Sequence, residues 1–256
     1  MKKIVYLLTL LIMAPQGYTQ TTDKYFHRLD PLVRRHKGYS QMAKEYFNRA
    51  TSKMDNKYYR EAIDDFSKAI EIDPKYTEAY NNRGIAKRNL KDYNGAIDDF
   101  TKAIDIDPKY EEAYNNRGNA KLDLQDYDGA VDDYTKAIDL DRNLAEAYNN
   151  RGLAKKNLND IVGAVDDFTK AIEINHKFAD AYNNRGLAKN DLQDYNGAID
   201  DFTKAIEIVP KYAMAYSNRG VVKMTIGQKD SGCLDLNKSA ELGNLQAYEV
   251  IRKFCK

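Results

Sequence analysis

From residue 43 onward, apolar and small residues recur at intervals of three and four in two runs separated by a short polar stretch, and the whole arrangement returns every 34 residues. In the units 43–76, 77–110, 111–144, 145–178, 179–212 and 213–246, positions 3, 4, 8, 10 and 14 form one stripe, and positions 17, 20, 21, 24, 27, 28 and 30 a second. Each stripe predicts an amphipathic helix, so each unit is a helical hairpin. In the second unit the stripes are Ala79, Tyr80, Gly84, Ala86 and Leu90, then Tyr93, Ala96, Ile97, Phe100, Ala103, Ile104 and Ile106. A single hairpin cannot bury two stripes, and the expected fold is an all-α solenoid in which six hairpins stack on one another.

The phase is marked by Ala-Tyr-Asn-Asn-Arg-Gly at 79, 113, 147 and 181, with weaker copies around Tyr46 and Tyr216. Between the two helices of a unit stands Asp92, Asp126, Asp160 or Asp194, whose carboxylate suits the free amides and positive dipole end of the second helix. The next hairpin is expected to open at Asp73-Pro74 and Asp107-Pro108, with Asp as cap and Pro in the first helical turn. Arg142, His176 and Asn244 replace that Pro.

The ends depart from the phase. Residues 1–20 combine a basic start at Lys2 and Lys3, an apolar stretch from Ile4 to Ala14, and small residues Gly17 and Thr19, which reads as a signal peptide. The apolar stretch is too short to span a bilayer, and no Cys follows it to carry a lipid. The expectation is an exported chain, periplasmic or secreted, with no membrane insertion after cleavage. Residues 21–42 read as a lead-in segment or N-terminal cap, and residues 247–256 as a C-terminal capping helix shielding the last apolar face. That helix brings Cys255 back over the last hairpin towards Cys233, and in an oxidising compartment the two are candidates for a disulfide. The alternative is two buried thiols acting as small hydrophobes, since Cys233 stands where the earlier units carry Ile or Val.

Composition narrows the function. The formal charge of +1 becomes −1 once Lys2 and Lys3 are removed with the signal, and Asp and Lys alternate along every unit, so there is no basic face for nucleic acid. His27, His36 and His176 are scattered without a partner at metal-ligand spacing, and no cofactor is expected. The acid pairs such as Asp64-Asp65 and Asp98-Asp99 recur in five units, as a structural face does and an active site does not. With neither a phosphate loop nor a nucleophile elbow in the sequence, the chain does not read as an enzyme.

Tyr80, Gly84, Ala96, Phe100 and Pro108 fall at positions 4, 8, 20, 24 and 32, and Tyr182, Gly186, Ala198, Phe202 and Pro210 repeat the set. In this pattern residues 43–246 closely resemble the tetratricopeptide repeat family, which implies a right-handed superhelix whose first helices line a concave groove. Two departures recur. Position 7 is Arg throughout (Arg49, Arg83, Arg117, Arg151, Arg185, Arg219) and position 11 is Lys (Lys53, Lys87, Lys121, Lys155, Lys189, Lys223), with Asp at position 23 of the neighbouring helix. These predict repeating ion pairs or, alternatively, a basic stripe for an anionic ligand.

In that family the groove is lined by positions 2, 5, 6, 9, 12 and 13. Position 6 is Asn in all six units (Asn48, Asn82, Asn116, Asn150, Asn184, Asn218), and position 5 adds Asn81, Asn115, Asn149 and Asn183. An amide both donates and accepts, which suits the backbone of an extended peptide. The repeat domain of O-linked N-acetylglucosamine transferases uses a similar ladder. The resemblance therefore implies a protein-protein interaction scaffold holding a neutral-to-basic peptide or partner protein. The cationic clamp that other members use for carboxylate tails is absent, because position 2 is mostly acidic (Glu78, Glu112, Glu146, Asp180). The alternatives are a glycan or cell-wall binding module and a regulatory accessory subunit of an exported enzyme complex. Oligomeric state is not legible in the sequence.

Overall fold

In the computed structural model the described residues are 40–255, and their regular structure is entirely helical. Residues 1–39 lie outside them, so the expected signal peptide and most of the expected lead-in segment have no structural account. Thirteen helices follow in order: α1 (residues 40–55), α2 (Tyr59–Ile72), α3 (Thr77–Asn89), α4 (Tyr93–Ile106), α5 (Glu111–Asp123), α6 (Tyr127–Leu140), α7 (Ala145–Asn157), α8 (Ile161–Ile174), α9 (Ala179–Asp191), α10 (Tyr195–Ile208), α11 (Ala213–Thr225), α12 (Lys229–Glu241) and α13 (Leu245–Phe254). The chain divides into two compact units, ending at Ala79 and beginning at Tyr80, with the division inside α3.

The first unit holds α1 and α2. Phe47 packs on Phe66 with ring centroids 5.6 Å apart and on Tyr76 at 4.9 Å, so an aromatic cluster fills the space between the two helices. Residues 40–42, assigned to the lead-in by sequence, already belong to α1.

In the second unit each helix packs against the next in sequence. In addition α5 touches α7, α7 touches α9 and α9 touches α11, whereas successive even-numbered helices make no comparable contact. The odd-numbered helices therefore approach one another and form the inner face of this unit. Within four of its hairpins a fully buried ring (Phe100, Tyr134, Phe168 or Phe202) lies against a glycine of the first helix, and in the last Leu236 takes the ring's place. A Cβ at Gly152 would stand 2.8 Å from the Phe168 ring, so only glycine lets the helices come this close. Alanines make up most of the remaining core: Ala164 and Ala188 pack with Phe168 and Ala198 with Phe202, none of them with exposed surface.

The turns inside the hairpins follow the sequence. Asp92, Asp126, Asp160 and Asp194 each accept a hydrogen bond from a glycine amide three residues on, at 3.0–3.1 Å. The residue just before each of these caps is left-handed at Lys91, Gln125, Asn159 and Gln193, with φ of 62–65°, and Gly227 takes that place in the last hairpin.

Three expectations need correction. The Asp-Pro pairs do not open the helices. Asp73 and Asp107 instead start a separate turn in which their Oδ1 accepts from the Lys75 and Lys109 amides, both at 3.0 Å, and Pro follows as the second turn residue, where its φ is favoured. The capping helix starts at Leu245, two residues early, because Gly243, at φ 95°, closes a shorter turn and Asn244 then caps the helix through the Gln246 amide. Position 14 is also no core position in the repeats that carry Leu there: Leu90, Leu124, Leu158 and Leu192 are all exposed, whereas Asn81, Asn149 and Asn183 at position 5 are buried.

Candidate functional site

The Arg and Lys that depart from the family pattern are used inside the hairpins. Arg151 donates from Nε and Nη2 to both oxygens of Asp167 at 2.9 and 2.7 Å, and Lys155 reaches the same carboxylate at 2.8 Å. The arrangement repeats at Asp99, Asp133, Asp201 and Asp235 in the second unit and at Asp65 in the first. Each Asp is buried, so two cations neutralise one desolvated anion. The third guanidinium nitrogen binds the preceding hairpin: Arg117 to Thr101, Arg151 to Thr135, Arg185 to Thr169 and Arg219 to Thr203, at 3.0–3.1 Å. Each guanidinium also lies over the Tyr one turn before it, as Arg151 does over Tyr148 at 5.5 Å. Held by carboxylate, threonine and ring, Arg117, Arg151, Arg185 and Arg219 are structural stitches within and between hairpins rather than an open basic stripe.

The charge cluster sets an acid limit. The Asp65 carboxyl is held at about 2, chiefly by its bonds from Arg49, with Lys53 adding to them and burial opposing. At Asp235 burial raises the value, and the bonds from Arg219 and Lys223 more than offset it, leaving it below the ordinary range. A carboxyl whose folded value is depressed stabilises fully above its unfolded value near pH 4, and that stabilisation drains away as the pH falls towards about 2. Far-UV circular dichroism is therefore expected to stay constant down to about pH 4 and to lose helicity below it, and Asp65→Asn should flatten part of that loss. A melt indifferent to pH between about 4 and 2 would refute the clusters as stabilising elements.

The amide ladder lies on the inner face but is not the one the sequence suggested. Asn81, Asn149 and Asn183 at position 5 are 1%, 5% and 2% exposed, and their oxygens accept from the next hairpin. Asn116 donates to Asn81 at 3.0 Å, Asn184 to Asn149 at 3.0 Å and Asn218 to Asn183 at 2.9 Å. Asn81 and Asn149 in turn donate to Asn82 and Asn150, their sequence neighbours. Position 5 thus supplies the buried rail, and position 6 the partly exposed rungs. Asn48, in the first unit, is exposed. The oxygens of Asn116, Asn184 and Asn218 accept nothing from the described residues and are not buried.

One junction breaks the pattern. Asn150 donates not to Asn115 but to Asn119 Oδ1 at 3.0 Å, which also accepts from the Tyr134 hydroxyl at 2.8 Å. Asn115 Oδ1 is left buried without a partner. The sequence pattern does not single out this pair, although the signal is there: Asn119 stands where the neighbouring units carry Ile85, Leu153, Leu187 and Val221, and Tyr134 where four others carry Phe. Further along the face, Arg88 pairs with Asp123 at 2.6 Å and Lys156 with Asp191 at 2.9 Å, tying successive odd helices together.

Cys233 and Cys255 form a disulfide, with Cα atoms 5.7 Å apart, joining α12 to the end of α13. Among the described residues no group of three or more His, Cys, Asp or Glu is placed to hold a metal ion, and no helix is long and apolar enough to cross a membrane.

Hairpins stacked through a buried ring on glycine, with an inner face of amides and ion pairs, define an α-helical repeat scaffold. The family models agree. One described as "TPR repeat" matches residues 54–90 and 118–159, and one described as "Tetratricopeptide repeat" matches 77–110, 145–178 and 179–212, together more than half of the chain. The chain belongs to the tetratricopeptide repeat family. No curated protein matches it. Among solved structures, MamA is 29% identical with a TM-score of 0.59, covering 64% of this chain and 96% of its own. PilF of Pseudomonas aeruginosa shares the fold with a TM-score of 0.74 at 16% identity, covering 84% of this chain and 99% of that one. YrrB, described as a TPR protein with an unusual peptide-binding site, gives 0.61 at 21% identity, covering 73% of this chain and 97% of its own.

Proposed function

We propose that this protein is a non-catalytic, exported scaffold that binds an extended polypeptide along the face of the odd-numbered helices. The observation that carries this reading is the row of position-6 amides. Asn116, Asn150, Asn184 and Asn218 are each fixed by one bond to the preceding hairpin, and at Asn116, Asn184 and Asn218 the oxygen is left open. Amides held at the spacing of the repeat offer acceptors to the N–H groups of an extended chain and cost little ordering entropy on binding. The peptide-binding site described for YrrB and the family itself favour a protein ligand over other classes. Export rests on the pattern of residues 1–20.

Partner capture from the exported fraction, crosslinked before lysis, tests the reading. Replacing Asn116, Asn150 and Asn184 together by Ala is expected to reduce capture at least about tenfold while far-UV circular dichroism is unchanged, since the amides touch no helix backbone. Undiminished capture by the folded triple variant would overturn the role of the row.

A further inference from the structure

The broken junction coincides with a hollow. An opening of about 290 Å³ lies between Asn115 of α5, the first turn of α7 with the loop before it, and the loop before α9, lined among others by Asn143, Leu144, Glu146, Asn175 and Phe178. The diversion of Asn150 to Asn119 leaves the Asn115 oxygen with no donor, and a buried acceptor without a partner is costly. Elsewhere on the ladder the equivalent oxygens of Asn81, Asn149 and Asn183 are satisfied by the next hairpin, so the unmet acceptor belongs to one junction. Glu146, at the first turn of α7, makes no ion pair among the described residues.

The hollow therefore combines an acceptor that lacks a donor, a carboxylate that lacks a cation, and apolar walls at Leu144 and Phe178. That combination complements a long aliphatic stem ending in several N–H donors. We infer that this hollow receives a lysine side chain of the bound polypeptide, its ammonium between Glu146 and Asn115 and its methylenes along Leu144 and Phe178. The Asn115 oxygen is screened in its present rotamer, and the soft terminal torsion of asparagine allows it to turn towards a donor. An ammonium carries three donors on a compact head and serves both groups at once. The inference rests on the reading of this face as a polypeptide-binding surface and supplies the one position on an otherwise repetitive face where a particular side chain is selected.

The test is an NMR titration of the isotope-labelled full chain with Nα-acetyl-lysine methylamide, against the uncharged isostere Nα-acetyl-norleucine methylamide. The readout is the side-chain amide resonance of Asn115, assigned through Asn115→Ala. The lysine probe is expected to shift that resonance with a millimolar-range Kd, and the norleucine probe to bind about tenfold more weakly, equivalent to about 1.4 kcal/mol. The double variant Asn119→Leu with Tyr134→Phe makes the junction a copy of its neighbours and returns Asn150 to Asn115. It should fold as well as the parent and lose the same factor for lysine, as should Glu146→Gln. Equal shifts from both probes, no shift from lysine, or an undiminished lysine shift in the double variant would each overturn the assignment. If the lysine probe fails while partner capture succeeds, only the pocket is refuted. If the probe binds while no partner is captured, the pocket stands and the scaffold reading falls.

Discussion

Phe168→Ala is expected to lower the stability of the chain by about 3–5 kcal/mol, the range for deleting a fully buried aromatic ring from a core that cannot collapse. The ring has no exposed surface and packs with Ala164, Ala188, Leu153, Ile161 and Val165, so it joins α8 to α7 and α9. Its neighbours are short, and Gly152 beneath it has no side chain to extend, so the void stays open. In an array whose units contact only their neighbours, damage at a middle unit weakens two interfaces. Urea unfolding followed by circular dichroism should show an earlier midpoint, with the transition separating into two steps. A single transition at an unchanged midpoint would mean that the ring contributes nothing to coupling between hairpins.

Asp167→Ala should cost about 3 kcal/mol, near the lower end for breaking a buried ion pair, because Arg151 and Lys155 keep part of their hydration. The loss goes beyond charge. Without its carboxylate the Arg151 guanidinium is no longer oriented, and the bond to Thr135 that links the hairpin to its predecessor loses its support. The surface pair Lys170–Glu173 provides the internal comparison: Glu173→Ala is expected to change stability by under about 0.5 kcal/mol. Thermal melts of the two variants decide the matter, and equal shifts would show the cluster to be energetically inert.

The helical hairpins, their stacking and their caps are legible in the sequence because each depends on spacing within one unit. Asp160 and Gly163 are three residues apart, and Gly152 and Phe168 sixteen, and both contacts form inside a hairpin. What escapes depends on how one unit meets the next. Asn149 reads as an exposed groove residue because its place on α7 faces outward in isolation, and only the approach of α9 buries it and gives it a donor in Asn184. The Arg and Lys departures are compatible with ion pairs or a basic stripe, and the buried Asp decides for the former. Pro108 suits a helix start and a turn equally, and the hydrogen bond from the Lys109 amide to Asp107 distinguishes them. At the candidate site the repeat spacing reveals the rungs and hides the rail. The substitution of Asn119 and Tyr134 is visible as letters, and its effect on Asn115 follows only from the geometry.

The Cys233–Cys255 bridge has a bearing on how such an array comes apart. Among the described residues α13 packs on α12 alone, and a helix held on one side peels away more easily than one held on both. A crosslink across a separation of 22 residues pins it to α12 and removes much of the freedom that peeling would release. Opening of this corner is thereby tied to redox chemistry: the helix that packing alone holds least firmly is held covalently, and a reducing agent is what frees it.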